Sequence, residues 1–67
     1  MVGVLVMELQ YYLVGFREET EIEIRKDGEE IYRGTCEDAV LDINVLNAHH
    51  SGVKDIRFVM GIYILEI

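Results

Sequence analysis

The sequence predicts an α+β fold, with two short helices packed on one face of a mainly antiparallel four-stranded sheet, in the order α-β-β-α-β-β. Three observations support it: apolar residues at helical spacing near the start, an Asp-Gly pair between two alternating segments, and a strongly apolar stretch over residues 53–67. The alternative is a mostly-β small sandwich, in which residues 40–46 are a strand. With 67 residues, we expect a single small domain over 1–67.

The first helix is predicted from apolar residues at i, i+4, i+7, i+8 and i+11, which share one face of a helix: Leu5, Leu9, Tyr12, Leu13 and Phe16. We expect the helix to begin near Leu5 and to end near Gly15, with residues 1–4 extended or frayed. The valines of residues 2–7 would also suit a strand.

The first hairpin is predicted over residues 20–35. Ile22 and Ile24 alternate with charged residues, as in a half-buried strand. Asp27-Gly28 indicates a type I′ turn, because that turn needs positive φ at both central residues. A two-residue turn predicts these positions: Ile24 opposite Ile31, Arg25 opposite Glu30, and Tyr32 on the outer face.

The second helix is predicted from about Cys36 to Asn47. Thr35 suits an N-cap position, with Asp38 three residues later. The residues at helical spacing are Cys36, Ala39, Val40, Ile43 and Leu46. A strand over residues 40–46 is the alternative, because Leu41, Ile43 and Val45 also alternate with polar residues.

Residues 53–67 must fold back on themselves, since a single strand of that length would span about 50 Å. Met60-Gly61 is the candidate turn. It pairs Ile56 with Leu65 and Phe58 with Tyr63 on one face, and leaves these residues on the other: Val59, Ile62 and Ile64.

An apolar face of this kind, left without a helix over it, predicts self-association. We expect a homodimer built on the C-terminal hairpin, either face to face or by edge pairing along Ile62 to Ile67. The interface residues would be Val59, Ile62, Ile64 and Ile67.

The chain has 13 acidic residues against 6 basic ones, a net charge of −7. This balance opposes binding to nucleic acid or to an anionic membrane. A basic protein is the partner it favours, and we expect the contact to be an acidic band of Glu18, Glu19, Glu29 and Glu30. The protein would then be an acidic inhibitor or a mimic of nucleic acid, as the alternative to a self-associating protein.

Residues with reactive side chains form no catalytic or metal-binding pattern. Cys36 has acidic neighbours, which disfavour a thiolate. His49 and His50 are adjacent, whereas metal-binding helices use i, i+4 spacing. We therefore expect no enzyme activity, no metal and no cofactor. A single cysteine and a longest apolar run of seven residues, 1–7, predict a cytoplasmic protein.

Residues 6–24 contain the pattern Val-x-Glu-Leu-x-x-x-Leu-x-x-Phe/Tyr, an acidic turn, and Thr-x-Val/Ile-x-Ile. It is formed here by Val6, Glu8, Leu9, Leu13, Phe16, Thr20, Ile22 and Ile24. In this pattern the segment resembles the opening of small uncharacterised proteins of bacteria and their phages, most of which have no assigned activity. Arg17 departs from the pattern, in which a proline is common. The resemblance implies a phage or prophage origin and carries over no catalytic residue.

Overall fold

The structure is a computed structural model that describes residues 7–67, and in this range it contains three short helices and a four-stranded sheet. The predicted α+β class is confirmed. The elements are α1 (Leu9–Gly15), β1 (Glu21–Lys26), β2 (Glu29–Thr35), α2 (Cys36–Ala39), α3 (Ile43–Ala48), β3 (Asp55–Val59) and β4 (Ile62–Glu66). The predicted extended segment over residues 1–4 lies outside the described residues.

The sheet joins two antiparallel hairpins through a parallel pair at its centre. Its strand order is β2-β1-β4-β3, with β1 and β4 parallel, so that Ile22 lies beside Tyr63 and Ile24 beside Leu65. The inner side chains of β1 and β4 pack against the helices. The core is formed by Leu9, Leu13, Ile22, Ile24, Cys36, Ala39, Val45, Ala48, Val53, Leu65 and Ile67.

The first helix begins at Leu9, so the prediction of a start near Leu5 is wrong. Glu8 is extended (φ −70°, ψ 151°) and forms an antiparallel bridge with Gly52. The N–H of Val53 donates to the carbonyl of Met7 at 2.9 Å. This pairing of backbone with backbone holds residues 7 and 8 out of the helical conformation. The end of the helix at Gly15 is as predicted.

The first hairpin closes through the predicted turn, with φ of 52° at Asp27 and 84° at Gly28. Arg25 lies opposite Glu30 as expected, but the pairing of Ile24 with Ile31 is wrong. A bulge between Ile24 and Arg25 shifts the register, and Ile24 pairs with Tyr32.

Tyr32 therefore packs against the core instead of lying on the outer face, and the bulged Ile31 remains partly buried beside it. The larger aromatic ring is partly buried in this arrangement. Its hydroxyl donates to the carbonyl of Thr35 at 2.7 Å, so the polar end of the side chain has a partner.

The predicted second helix is divided into α2 and α3, and a strand over residues 40–46 is wrong. Thr35 caps α2, because its hydroxyl accepts from the N–H of Asp38 at 3.3 Å. Asp42 caps α3, accepting from the N–H groups of Asn44 at 2.9 Å and Val45 at 3.2 Å. An N-cap residue takes an extended conformation, as Asp42 does (φ −81°, ψ 131°), so one helix ends before it and another begins after it.

This division changes which side chains face the core. Cys36 and Ala39 are buried as the helical spacing predicts. The remaining members of the predicted apolar face are exposed: Val40, Ile43 and Leu46. Val45 and Ala48 are buried in their place, because α3 starts anew after Asp42 and turns a different face to the sheet.

The second hairpin has the predicted turn and register. Ile56 lies opposite Leu65 and Phe58 opposite Tyr63. However, β4 is hydrogen-bonded to β1 on one side and to β3 on the other, so edge pairing along Ile62 to Ile67 is wrong. Ile67 is buried, and its N–H donates to the carbonyl of Arg25 at 2.8 Å.

Candidate protein-interaction surfaces

The sheet face away from the helices carries the three aliphatic side chains Val59, Ile62 and Ile64, which we call the outer strip. Val59 and Ile62 are directly paired across the hairpin, and Ile64 lies two residues further along β4. The outer strip borders a shallow cleft of about 370 Å³, whose other walls are Glu23, Arg33 and Met60. No described helix covers it. Ile67, predicted with this group, belongs instead to the core.

Charged residues surround the outer strip in nearly equal numbers of both signs. Arg25 contacts Glu23 at 3.0 Å and Glu66 at 3.8 Å. Arg57 contacts Asp55 at 3.4 Å and Glu66 at 3.7 Å. Because these acidic side chains have basic neighbours, the face is far less negative than the chain as a whole.

The predicted acidic band is divided between two ends of the molecule. Glu18 and Glu19 precede β1, whereas Glu29 and Glu30 are the first two residues of β2. A six-residue strand separates the two pairs by about 20 Å. The N–H of Glu37 donates to the carbonyl of Glu18 at 3.0 Å. The structure therefore groups Glu18 with Glu37, and it does not join the four predicted residues into one surface.

An apolar cleft between α1 and the α2–α3 pair is the feature that the sequence did not predict. It consists of a part of about 140 Å³ and a part of about 430 Å³ that share three lining residues. We call the shared residues and their two neighbours the helical groove: Leu13, Val14, Val40, Val45 and Leu46. Val14 is 81% exposed. Leu41 and Ile43, which follow Val40 in the chain, are 78% and 65% exposed.

The sequence carried one signal that would have indicated this groove. Asp42 precedes Ile43 and Val45, and aspartate is a strong N-cap residue. Placing a helix start there moves Ile43 and Leu46 away from the core. Val14 likewise lies off the face that contains Leu9 and Leu13.

Cys36 lies beside the groove but is not placed for nucleophilic chemistry. Its thiol is buried and donates to the carbonyl of Leu13 at 3.1 Å. Burial raises the pKa of the Cys36 thiol, and the charge of Glu18 raises this pKa further. A thiol with a raised pKa is mostly protonated at neutral pH and therefore weakly reactive.

The two histidines connect the end of α3 to the start of α1. Their rings are 4.0 Å apart, and His50 Nδ1 lies 3.1 Å from Glu8 Oε1. Hydrogen bonds from His50 and then from Gln10 lower the pKa of the Glu8 carboxyl. Among residues 7–67, no group of three or more histidine, cysteine, aspartate or glutamate side chains is arranged to hold a metal ion.

Two further findings bear on the class of protein. Over the described part of the chain, no helix has both the length and the apolar character required to cross a membrane. Comparison with protein-family models, with curated proteins and with solved structures finds no match to this chain.

Proposed function

We propose that this chain is a small non-catalytic protein that associates with a second copy of itself through the outer strip. The observation that supports this proposal is the position of Ile62 and Ile64. They lie on a central strand, on a sheet face that no described helix covers. Val59 is 45% exposed and Ile62 and Ile64 are half-buried. Burial in a dimer therefore adds, for each side chain, only part of the about 1.5–3 kcal/mol of complete burial, before the entropy of association is subtracted.

Charge favours a second copy as the partner on this face. The acidic and basic side chains around the outer strip are nearly balanced, so two such faces do not repel as two molecules of net charge −7 otherwise would. Glu23 and Arg33 are neighbours across β1 and β2. In a twofold contact the same patch meets itself, so Glu23 of one copy can lie near Arg33 of the other.

The protein would act without a cofactor, in the cytoplasm, as an accessory or interaction factor of a phage or prophage. The buried, protonated Cys36 thiol suits a reducing compartment and offers no nucleophile. The phage origin derives from the resemblance of residues 6–24.

Sedimentation at micromolar concentration tests the proposal. We expect the wild-type chain to sediment as a dimer, and the variant Ile62→Lys with Ile64→Lys as a monomer, because a twofold contact would bring the added positive charges of both copies into one interface. The matched control is Tyr11→Lys with Val14→Lys, which adds the same charge on an exposed part of α1 and should leave the dimer intact.

Far-UV circular dichroism shows whether each variant is folded. If the double lysine variant unfolds, Ile64→Gln alone should still weaken the dimer. A wild-type chain that is still monomeric at about 100 μM would contradict the proposal, because a dimer with a Kd in the micromolar range would form at that concentration. Equal dissociation of the α1 control would contradict the assignment to the outer strip.

A further inference from the structure

We propose that the helical groove binds a basic amphipathic helix of another protein. This inference goes beyond self-association and does not depend on it, because the groove and the outer strip lie on opposite faces of the sheet. Monomeric proteins rarely expose several contiguous large apolar side chains without a binding role. Val14, Val40 and Leu46 are such a group.

The helical walls of the groove favour a helix as its occupant. Its lining consists of side chains from α1, α2, α3 and the residues that join them. An extended peptide usually binds by adding to a free strand edge, and the groove has no strand in its walls. An amphipathic helix instead inserts apolar side chains at i, i+3, i+4 and i+7 spacing between two helices.

The negative charges at the groove favour a basic partner. Glu18 and Glu37 line its larger part and are held side by side by the backbone hydrogen bond between them. No lysine or arginine of the described chain lines either part of the groove. Lysine or arginine side chains at the end of a bound helix would therefore meet uncompensated carboxylates.

A second copy of this chain is a poorer occupant. Its described helices are held on their own sheet by Leu9, Leu13 and Val45, so none of them is free to enter the groove as a separate helix. A second copy would also bring its own acidic residues to Glu18 and Glu37, and like charges across an interface are unfavourable.

The test uses a fluorescent synthetic peptide of leucine and lysine with helical amphipathic spacing, and a control peptide with glutamate in place of lysine. Fluorescence anisotropy with the full chain should show binding of the lysine peptide only. The variant Val14→Gln with Val40→Gln should weaken binding at least about tenfold, which corresponds to about 1.4 kcal/mol. Met60→Gln, which changes a 95% exposed side chain in the turn between β3 and β4, should have no effect.

The charge contribution has its own matched pair. Glu18→Gln with Glu37→Gln should weaken binding several-fold, whereas Glu29→Gln with Glu30→Gln makes the same change in net charge and should not. Equal weakening by both pairs would reduce the interaction to non-specific attraction and overturn the proposal.

Unchanged binding by the Val14 and Val40 variant would also overturn it. So would loss of dimer by this variant in sedimentation, because a second copy would then occupy the groove. A chain that is monomeric in sedimentation but binds the lysine peptide would contradict the proposed self-association and support the groove as a binding site.

Discussion

The two hairpins close through the same backbone turn, although only the first has a sequence typical of it. Asp27 and Met60 both have φ of 52°, and Gly28 and Gly61 both have φ of 84°. Aspartate tolerates positive φ because its side chain can bond to nearby backbone, whereas methionine has no such partner. The second turn therefore depends on Gly61 and on the need for an apolar segment to fold back.

The hairpins also differ in how their outer strands are covered. In the first, Tyr32 of β2 packs against the core. In the second, every residue of β3 is exposed, and Phe58 retains 62% of its exposure even though it faces the side of the helices. The central strands β1 and β4 are alike, since Ile24 and Leu65 are both fully buried. The sheet is thus stabilised from its centre and weakly covered at the β3 edge.

The largest expected effect tests this difference between centre and edge. Leu65→Ala and Ile24→Ala should each lower the free energy of unfolding by about 2–5 kcal/mol, because each leaves a cavity in the core. Phe58→Ala should cost less than about 1.5 kcal/mol, since an exposed ring loses mainly its contact with Tyr63. Urea denaturation at equal protein concentration provides the values. A loss for Phe58→Ala as large as that for Leu65→Ala would mean that β3 is covered in solution.

The next effect tests whether the two turns are equivalent. Gly28→Val and Gly61→Val should each cost about 1–2 kcal/mol, because a β-branched residue is forced to positive φ. A Cβ atom at either glycine would meet no other atom within 4 Å, so the cost is conformational and not steric crowding by neighbours. In a domain of this size, melting temperatures should fall by about 4–8 °C per kcal/mol. Unequal losses would show that the two turns differ in solution.

The smallest expected effect concerns the first residue of each turn. Met60→Asp should stabilise the protein by less than about 1 kcal/mol, and Asp27→Met should destabilise it by a similar amount. Met60 is almost fully exposed, so its replacement loses no packing. Thermal denaturation of the two variants beside the wild type measures the difference. A loss of stability in Met60→Asp would indicate that the methionine side chain has a contact in solution.

Local signals in the sequence were sufficient for most elements of the fold. Asp27-Gly28 predicts the first turn, Thr35 predicts the start of α2, and the alternation around Met60-Gly61 predicts the second hairpin. Three features depended on contacts between distant residues and were not predicted. They are the bulge that turns Tyr32 inward, the bridge between Glu8 and Gly52 that delays α1, and the parallel pairing of β1 with β4.

The two candidate surfaces show the same difference between local signals and contacts of distant residues. The outer strip was predicted by alternation within a single hairpin, and three of its four expected residues lie on it. The fourth, Ile67, is buried because the chain end pairs with Arg25 of a different hairpin. The helical groove was not predicted, because it depends on where the chain bends at Asp42 and on how α1 lies beside that bend.

The parallel pair at the centre of the sheet has a consequence for the order of folding. Each hairpin joins residues that are close in sequence and can form in about 1–10 μs. Ile22 meets Tyr63 only after a loop of about forty residues has closed, which carries a larger entropy cost. We therefore expect the union of β1 with β4 to be the slow, late event, after both hairpins have formed. Substitutions at Ile22 or Tyr63 would then change the folding rate more than those in either turn.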